Sequence, residues 1–101
     1  MPRTLAIEPE AEADLADAFA WYETQRRGLG SELLAEVARV LKTIEEFPER
    51  HPIVRGITRR VVTRRFPYGI YYILDPELIV VTAVLHARRD PRHLEQRTPR
   101  P

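Results

Sequence analysis

The chain has 101 residues, 44% of them hydrophobic and 31% charged, with no cysteine and a formal net charge of +1. A chain of this size holds one hydrophobic core rather than two, and the composition is that of a folded protein, so residues 1–101 are expected to form a single domain. The lack of cysteine excludes a disulfide scaffold, a thiolate metal site and a cysteine nucleophile.

In chain order, residues 3–8 alternate polar and apolar and predict a short strand with Leu5 and Ile7 on one side. Pro9 suits the first turn of a helix, and Glu8, Glu10 and Glu12 set negative charge against the positive end of its dipole. Leu15, Ala18, Phe19 and Tyr22 then come at i, i+3, i+4 and i+7, the stripe of an amphipathic helix. Trp21 lies off that stripe and is expected to pack in the core against a second element, the alternative being a partner. Gly28 and Gly30 mark a helix-ending turn, after which Ser31 is placed to cap a second helix. That helix carries Leu33, Leu34, Val37, Val40, Leu41, Ile44 and Phe47, and Pro48 stops it. Residues 48–58 read as a loop. Strands are expected at residues 59–66, 68–74 and 78–85, and the continuous apolar run of the last one marks a central strand covered on both faces. Tyr71 and Tyr72 must point to opposite faces, with Tyr72 expected under the helices beside Tyr68 and Ile70. Residues 92–101 form a tail.

The order β-α-α-β-β-β predicts an α+β domain, a helical hairpin packed on a mainly antiparallel four-stranded sheet. No stretch approaches the ~18 apolar residues of a membrane span, and Met1-Pro2-Arg3 does not open a secretory signal. The expected location is the cytoplasm, with no membrane partner.

Charge is divided along the chain. Residues 1–50 carry eleven acids and six bases, residues 51–101 four acids and ten bases, and Lys42 is the only lysine. A GC-rich genome accounts for the preference for arginine over lysine as well as any function does. It does not account for the clustering in one half. Arginine offers a planar, bidentate donor that suits phosphates and carboxylates, so the basic half fits nucleic acid or an acidic protein.

Three segments carry a resemblance: Phe66-Pro67-Tyr68-Gly69-Ile70-Tyr71-Tyr72, the run Ala83-Val84-Leu85-His86-Ala87-Arg88-Arg89-Asp90-Pro91, and Glu10-Ala11-Glu12-Ala13-Asp14-Leu15 with Trp21-Tyr22. Their order and spacing resemble the ParE/RelE superfamily of small bacterial toxins, in the branch called plasmid stabilisation proteins, over essentially the whole chain. The resemblance implies the toxin of a type II toxin–antitoxin pair, and the superfamily offers two mechanisms. ParE-like members poison DNA gyrase by binding; RelE-like members cut messenger RNA on the ribosome.

Metal-free RNA cleavage needs a base, cations at the phosphorane-like transition state and an acid. Laid on the RelE-like pattern, Arg60 and Arg88 stand at two cationic positions. A third falls near Gly69, and the tyrosine position near the C-terminus falls at Leu94. Two of the four roles are missing, which favours the ParE-like mechanism. A histidine-based variant using His86 and His93 with Arg64 and Arg88 is chemically admissible. The plainer reading makes His86 a strand-end residue and His93 a solvated one. Arg59, Arg60, Arg64 and Arg65 are solvated, bind phosphates or pair with an acidic antitoxin segment. The tyrosines stack on bases or, more simply, pack in the core.

The expectation is therefore a gyrase-inhibiting toxin neutralised by a ParD-like antitoxin, with Arg64, Arg65, Arg88 and Arg89 as target contacts. If the protein is instead a ribosome-dependent RNase, its site is Arg60, His86 and Arg88. A degenerate, non-toxic antitoxin-binding member is the remaining alternative. Neither a metal nor a cofactor is expected, since the three histidines form no i, i+4 pair. A homodimer and a toxin–antitoxin hetero-oligomer are both open.

Overall fold

The computed structural model describes residues 3–87. In chain order the elements are β1 (Thr4–Ile7), α1 (Pro9–Gln25), α2 (Leu29–Glu46), β2 (Ile53–Arg55), β3 (Thr58–Val62), β4 (Tyr68–Leu74) and β5 (Leu78–His86). The strands form one sheet in the order β1-β5-β4-β3-β2. Neighbours are antiparallel except β1 and β5, which run parallel. The α+β class and the helical hairpin on a mainly antiparallel sheet are as expected, with one correction. The sheet has five strands, not four. Residues 53–55, read from the sequence as loop, pair with β3 across a tight turn at Gly56, whose φ is +57°. Three residues show no useful alternation, and the strand exists because β3 gives it a partner.

The hairpin departs from expectation at its turn. α2 begins at Leu29 after Gly28, which takes the left-handed φ of +87°. The carboxylate of Glu23, at the end of α1, accepts the N–H groups of Gly28 at 3.2 Å and Gly30 at 2.8 Å. An anion reaching over from α1 thus satisfies the positive helix end, and Ser31 lies inside the helix rather than capping it. Gly30 also lets the helices close. A Cβ there would stand 2.7 Å from both the Phe19 ring and the Phe19 carbonyl oxygen.

The core lies between hairpin and sheet. Ala11 and Ala18 of α1 and Leu33, Val37 and Ile44 of α2 meet Phe66, Ile70, Tyr72, Ile79, Val81 and Val84. Burying each of the larger aliphatic side chains contributes roughly 1.5–3 kcal/mol. Leu34 projects outward instead. Trp21 is a second correction: it is 56% exposed, touching Tyr22 edge-on, because its position on α1 points away from the sheet.

The two adjacent tyrosines divide as expected. Tyr72 joins the helix-side core, while Tyr71 is buried on the opposite face with Ala83 and Leu85. The register shifts between them: Tyr71 pairs with Ala83 and Tyr72 with Val81, leaving Thr82 as a bulge. The bulge changes the parity of β5. Ile79 and Val81 before it and Val84 after it all face the helices. Burial on both faces is why residues 78–85 read as one apolar run.

Candidate functional site

Thr63 to Pro67 join β3 to β4, and this turn carries Arg64 and Arg65. The Thr63 hydroxyl donates to the Phe66 carbonyl, the Thr63 N–H bonds the Tyr68 carbonyl at 2.9 Å, and the Tyr68 N–H bonds that of Phe66 at 2.8 Å. The Phe66 ring anchors the turn from below, 4% exposed and edge-on to Tyr22 at 5.0 Å between centroids.

The turn is also fastened from the side by α2. Glu32 and Glu36 are four residues apart, hence on one helix face. Glu36 is 6% exposed, and its Oε2 accepts the Arg65 backbone N–H at 2.9 Å while Oε1 lies 3.5 Å from the Arg39 guanidinium. A buried carboxylate is tolerable because it is paired in this way. Glu32 receives the Arg65 guanidinium at 2.5 Å and that of Arg26 at 3.1 Å. Hydrogen bonds from Arg65 and then Arg26 outweigh desolvation and hold the Glu32 carboxyl below its ordinary pKa. The Arg65 guanidinium also lies 5.1 Å from the Phe66 ring centre. Arg64 is exposed and forms no ion pair among the described residues. One arginine of the turn is held inside the fold and its neighbour is presented to solvent.

A groove flanks this end of the sheet. β1 pairs with β5 only as far as Val81, so residues 82–86 turn their outer edge toward α1. There the Asp14 carboxylate accepts the Val84 N–H at 2.9 Å. Asp14, Asp17, Ala18, Tyr68, Val84, Leu85 and His86 line a cavity of about 330 Å³. A second, of about 270 Å³, lies between Trp21, Tyr22, Tyr68 and His86. Ala87 donates its N–H to the Pro67 carbonyl at 2.5 Å, so the described chain ends beside the arginine turn. Arg88, Arg89 and His93 lie outside the described residues.

The remaining RNase candidates are not brought together. His86 pairs with Tyr68, and its ring meets the Tyr68 ring at 5.6 Å on the helix side. Arg60 pairs with Tyr71, on the opposite face, where its stem lies over Gly69. Side chains leaving opposite faces of a sheet do not converge on one phosphate. Among the described residues no cluster of three or more His, Asp or Glu side chains is placed to hold a metal, and no helix is long and apolar enough to cross a membrane. Sequence reasoning missed the part played by Glu32 and Glu36. Their i, i+4 spacing was a signal, but nothing local shows that the arginine turn lies above them.

The fold has solved counterparts. It superposes with a TM-score of 0.77 on a chain of the chromosomal ParDE toxin–antitoxin system from P. aeruginosa, at 13% identity, over 85% of this chain and 97% of that one. A chain of the toxin–antitoxin complex RelBE2 from Mycobacterium tuberculosis gives 0.61 at 24% identity, over 85% and 99%. These likenesses define the class of fold. The sequence model of the family described as ParE toxin of type II toxin–antitoxin system, parDE, matches residues 5–91. The chain belongs to that family and is the toxin component of a type II toxin–antitoxin system. Comparison with curated protein sequences gave no match.

Proposed function

We propose that this toxin acts by binding DNA gyrase rather than by cutting RNA, in the cytoplasm, and that a ParD-like antitoxin neutralises it by binding. The observation that carries the reading is the arginine turn. Its backbone is bonded by Glu36 and by the Thr63 hydroxyl and the Arg65 side chain is paired with Glu32, so Arg64 is offered to a target on a preorganised support, which lowers the entropy lost on binding. Arg65, although paired with Glu32, remains about half exposed and extends the same cationic edge. Arg88 and Arg89 come directly after Ala87 in sequence and belong to the same proposed contact. The placement of Arg60 and His86 on opposite faces supports binding over catalysis. An antitoxin partner is supported by the two solved neighbours, which are toxin–antitoxin systems.

The test is induction of the toxin without its antitoxin, with pulse-labelling of DNA and protein synthesis over the first minutes. The reading expects DNA synthesis to stop first while translation continues. An early stop in translation overturns it and returns attention to Arg60, His86 and Arg88. No effect on either marks a degenerate member that only binds its antitoxin.

A further inference from the structure

Besides the stripe that packs on the sheet, α1 carries a second one. Asp14, Asp17 and Trp21 come at i, i+3 and i+7 and so share a face of the helix. That face lies along the part of β5 that β1 does not reach. The two cavities there share Tyr68 and His86 and differ in character. The one of about 270 Å³ is lined by rings alone. Trp21 meets Tyr22 at 4.9 Å between centroids, Tyr22 meets Tyr68 at 6.1 Å and Tyr68 meets His86 at 5.6 Å, the pairs crossing at 88°, 61° and 72°. Rings crossed at such angles turn their faces in several directions, the arrangement that cages an organic cation. The cavity of about 330 Å³ brings in Asp14 and Asp17 instead, beside the apolar Ala18 and Val84. Asp14 accepts the Val84 N–H at 2.9 Å, whereas Asp17 is exposed and forms no ion pair among the described residues.

We infer that this edge binds a linear aliphatic polyamine. One ammonium group sits against the rings of Trp21 and Tyr68 and a second against the Asp17 carboxylate, with the methylene stem beside Ala18 and Val84. The pairing of the two cavities selects this chemistry. An aromatic cage alone suits one organic cation, and a carboxylate alone suits any cation. Side by side, they suit two cations joined by an apolar stem. A metal ion fits poorly, because no cluster of three or more ligating side chains occurs among the described residues. A nucleotide stacked on Trp21 fits poorly too, since its phosphate comes close to Asp17 and Asp14. A lysine or arginine side chain brings one cation and fills one compartment.

Trp21 is the only tryptophan of the chain, and at 56% exposure it is open to a ligand, so its fluorescence reads occupancy directly. The test titrates the purified full chain with spermidine while following that emission, and repeats the titration on isotope-labelled protein by amide shifts. Butylamine, magnesium and a blocked arginine peptide are the comparisons. The expected result is saturable binding of spermidine, tighter than that of any comparison, with amide shifts centred on residues 14–22 and 84–86. Asp17→Asn is expected to weaken it roughly two- to fivefold at unchanged melting temperature. Trp21→Leu, read by amide shifts, is expected to weaken it by a similar factor, again without loss of stability. A response to magnesium or butylamine equal to that of spermidine overturns the inference, as does tighter binding of the arginine peptide. Shifts centred elsewhere, binding unchanged in both variants, or no saturation by about 10 mM overturn it as well. The readout uses neither gyrase nor RNA, so its failure leaves the gyrase reading standing, and failure of that reading leaves this result unaffected.

Discussion

The turn at residues 63–67 and the edge strand β2 are built from similar residues, arginines set among apolar side chains, yet the fold treats them differently. Two glutamates of α2 lie beside the turn, and they bind the backbone N–H and the guanidinium of Arg65. β2 has β3 as its one sheet neighbour among the described residues, and all three of its residues are exposed. The segment between Phe47 and β2 is fastened instead, just before the strand begins. There the Tyr72 hydroxyl donates to the Pro48 carbonyl at 2.6 Å, and the Arg59 guanidinium donates to the carbonyls of Glu49 at 3.1 Å and His51 at 2.7 Å. The same local chemistry yields a fastened cationic turn in one place and, among the described residues, an exposed edge strand in the other. The element brought alongside decides between them.

The contrast can be broken most directly at Glu36. Glu36→Ala leaves the Arg65 N–H without its acceptor and is expected to cost about 1–3 kcal/mol in urea unfolding. Glu36→Gln, which keeps a side-chain acceptor, is expected to cost less. A loss for Glu36→Ala within about 0.5 kcal/mol would show that the turn is held by other means. Next in size is Tyr72→Phe, which removes the bond to Pro48 and is expected to cost roughly 0.5–1.5 kcal/mol. Hydrogen exchange should then quicken across residues 48–53 and not across residues 63–67; equal quickening in both would dissolve the distinction.

The two arginines of the turn sharpen it further. Arg65→Ala breaks a partly exposed ion pair and is expected to cost about 0.2–1 kcal/mol. Arg64→Ala is expected to stay within about 0.5 kcal/mol of the parent. Arg64→Glu should nonetheless abolish toxicity in cells at unchanged melting temperature. Retained toxicity would remove Arg64 from the target contact.

The smallest effects are in pH. His51 Nε2 is buried with no hydrogen-bond partner, and burial, then the charges of Arg50 and Arg59, hold its pKa below the ordinary 6.5. The folded chain therefore keeps His51 neutral while the unfolded chain takes up a proton near 6.5, so stability falls as pH drops below that value. Glu32 favours its charged form in the fold. Its contribution is complete above its ordinary 4.5 and is lost as pH falls below it. Melting temperature against pH should thus decline in two steps, the upper removed by His51→Gln and the lower reduced by Arg65→Ala. A single step unaffected by either substitution would contradict this account.

Much of the fold was legible because its signals are periodic. The stripe of α2, the alternation that separates Tyr71 from Tyr72 and the apolar run of β5 each record a buried surface. The illegible parts depend on contacts between distant residues. β2 is too short to carry a pattern, α2 is capped by a carboxylate from α1 rather than by its own Ser31, and Trp21 is left uncovered although it is aromatic. The candidate site was legible as composition and not as geometry. The arginines stand out in the sequence, whereas their division into held and presented depends on Glu32 and Glu36, about thirty residues away. Likewise Arg60 and His86 look like possible partners in the sequence and take opposite faces only once strand register is known.

The central claim is that this toxin acts on gyrase by binding through the arginine turn. The direct measurement is gyrase supercoiling in vitro with the purified full chain and its Arg64→Glu variant, with cleavage of ribosome-bound messenger RNA assayed in parallel. The account predicts inhibition of supercoiling by the parent, loss of inhibition in the variant and intact messenger RNA with both. Unimpaired supercoiling together with cleaved messenger RNA would contradict it.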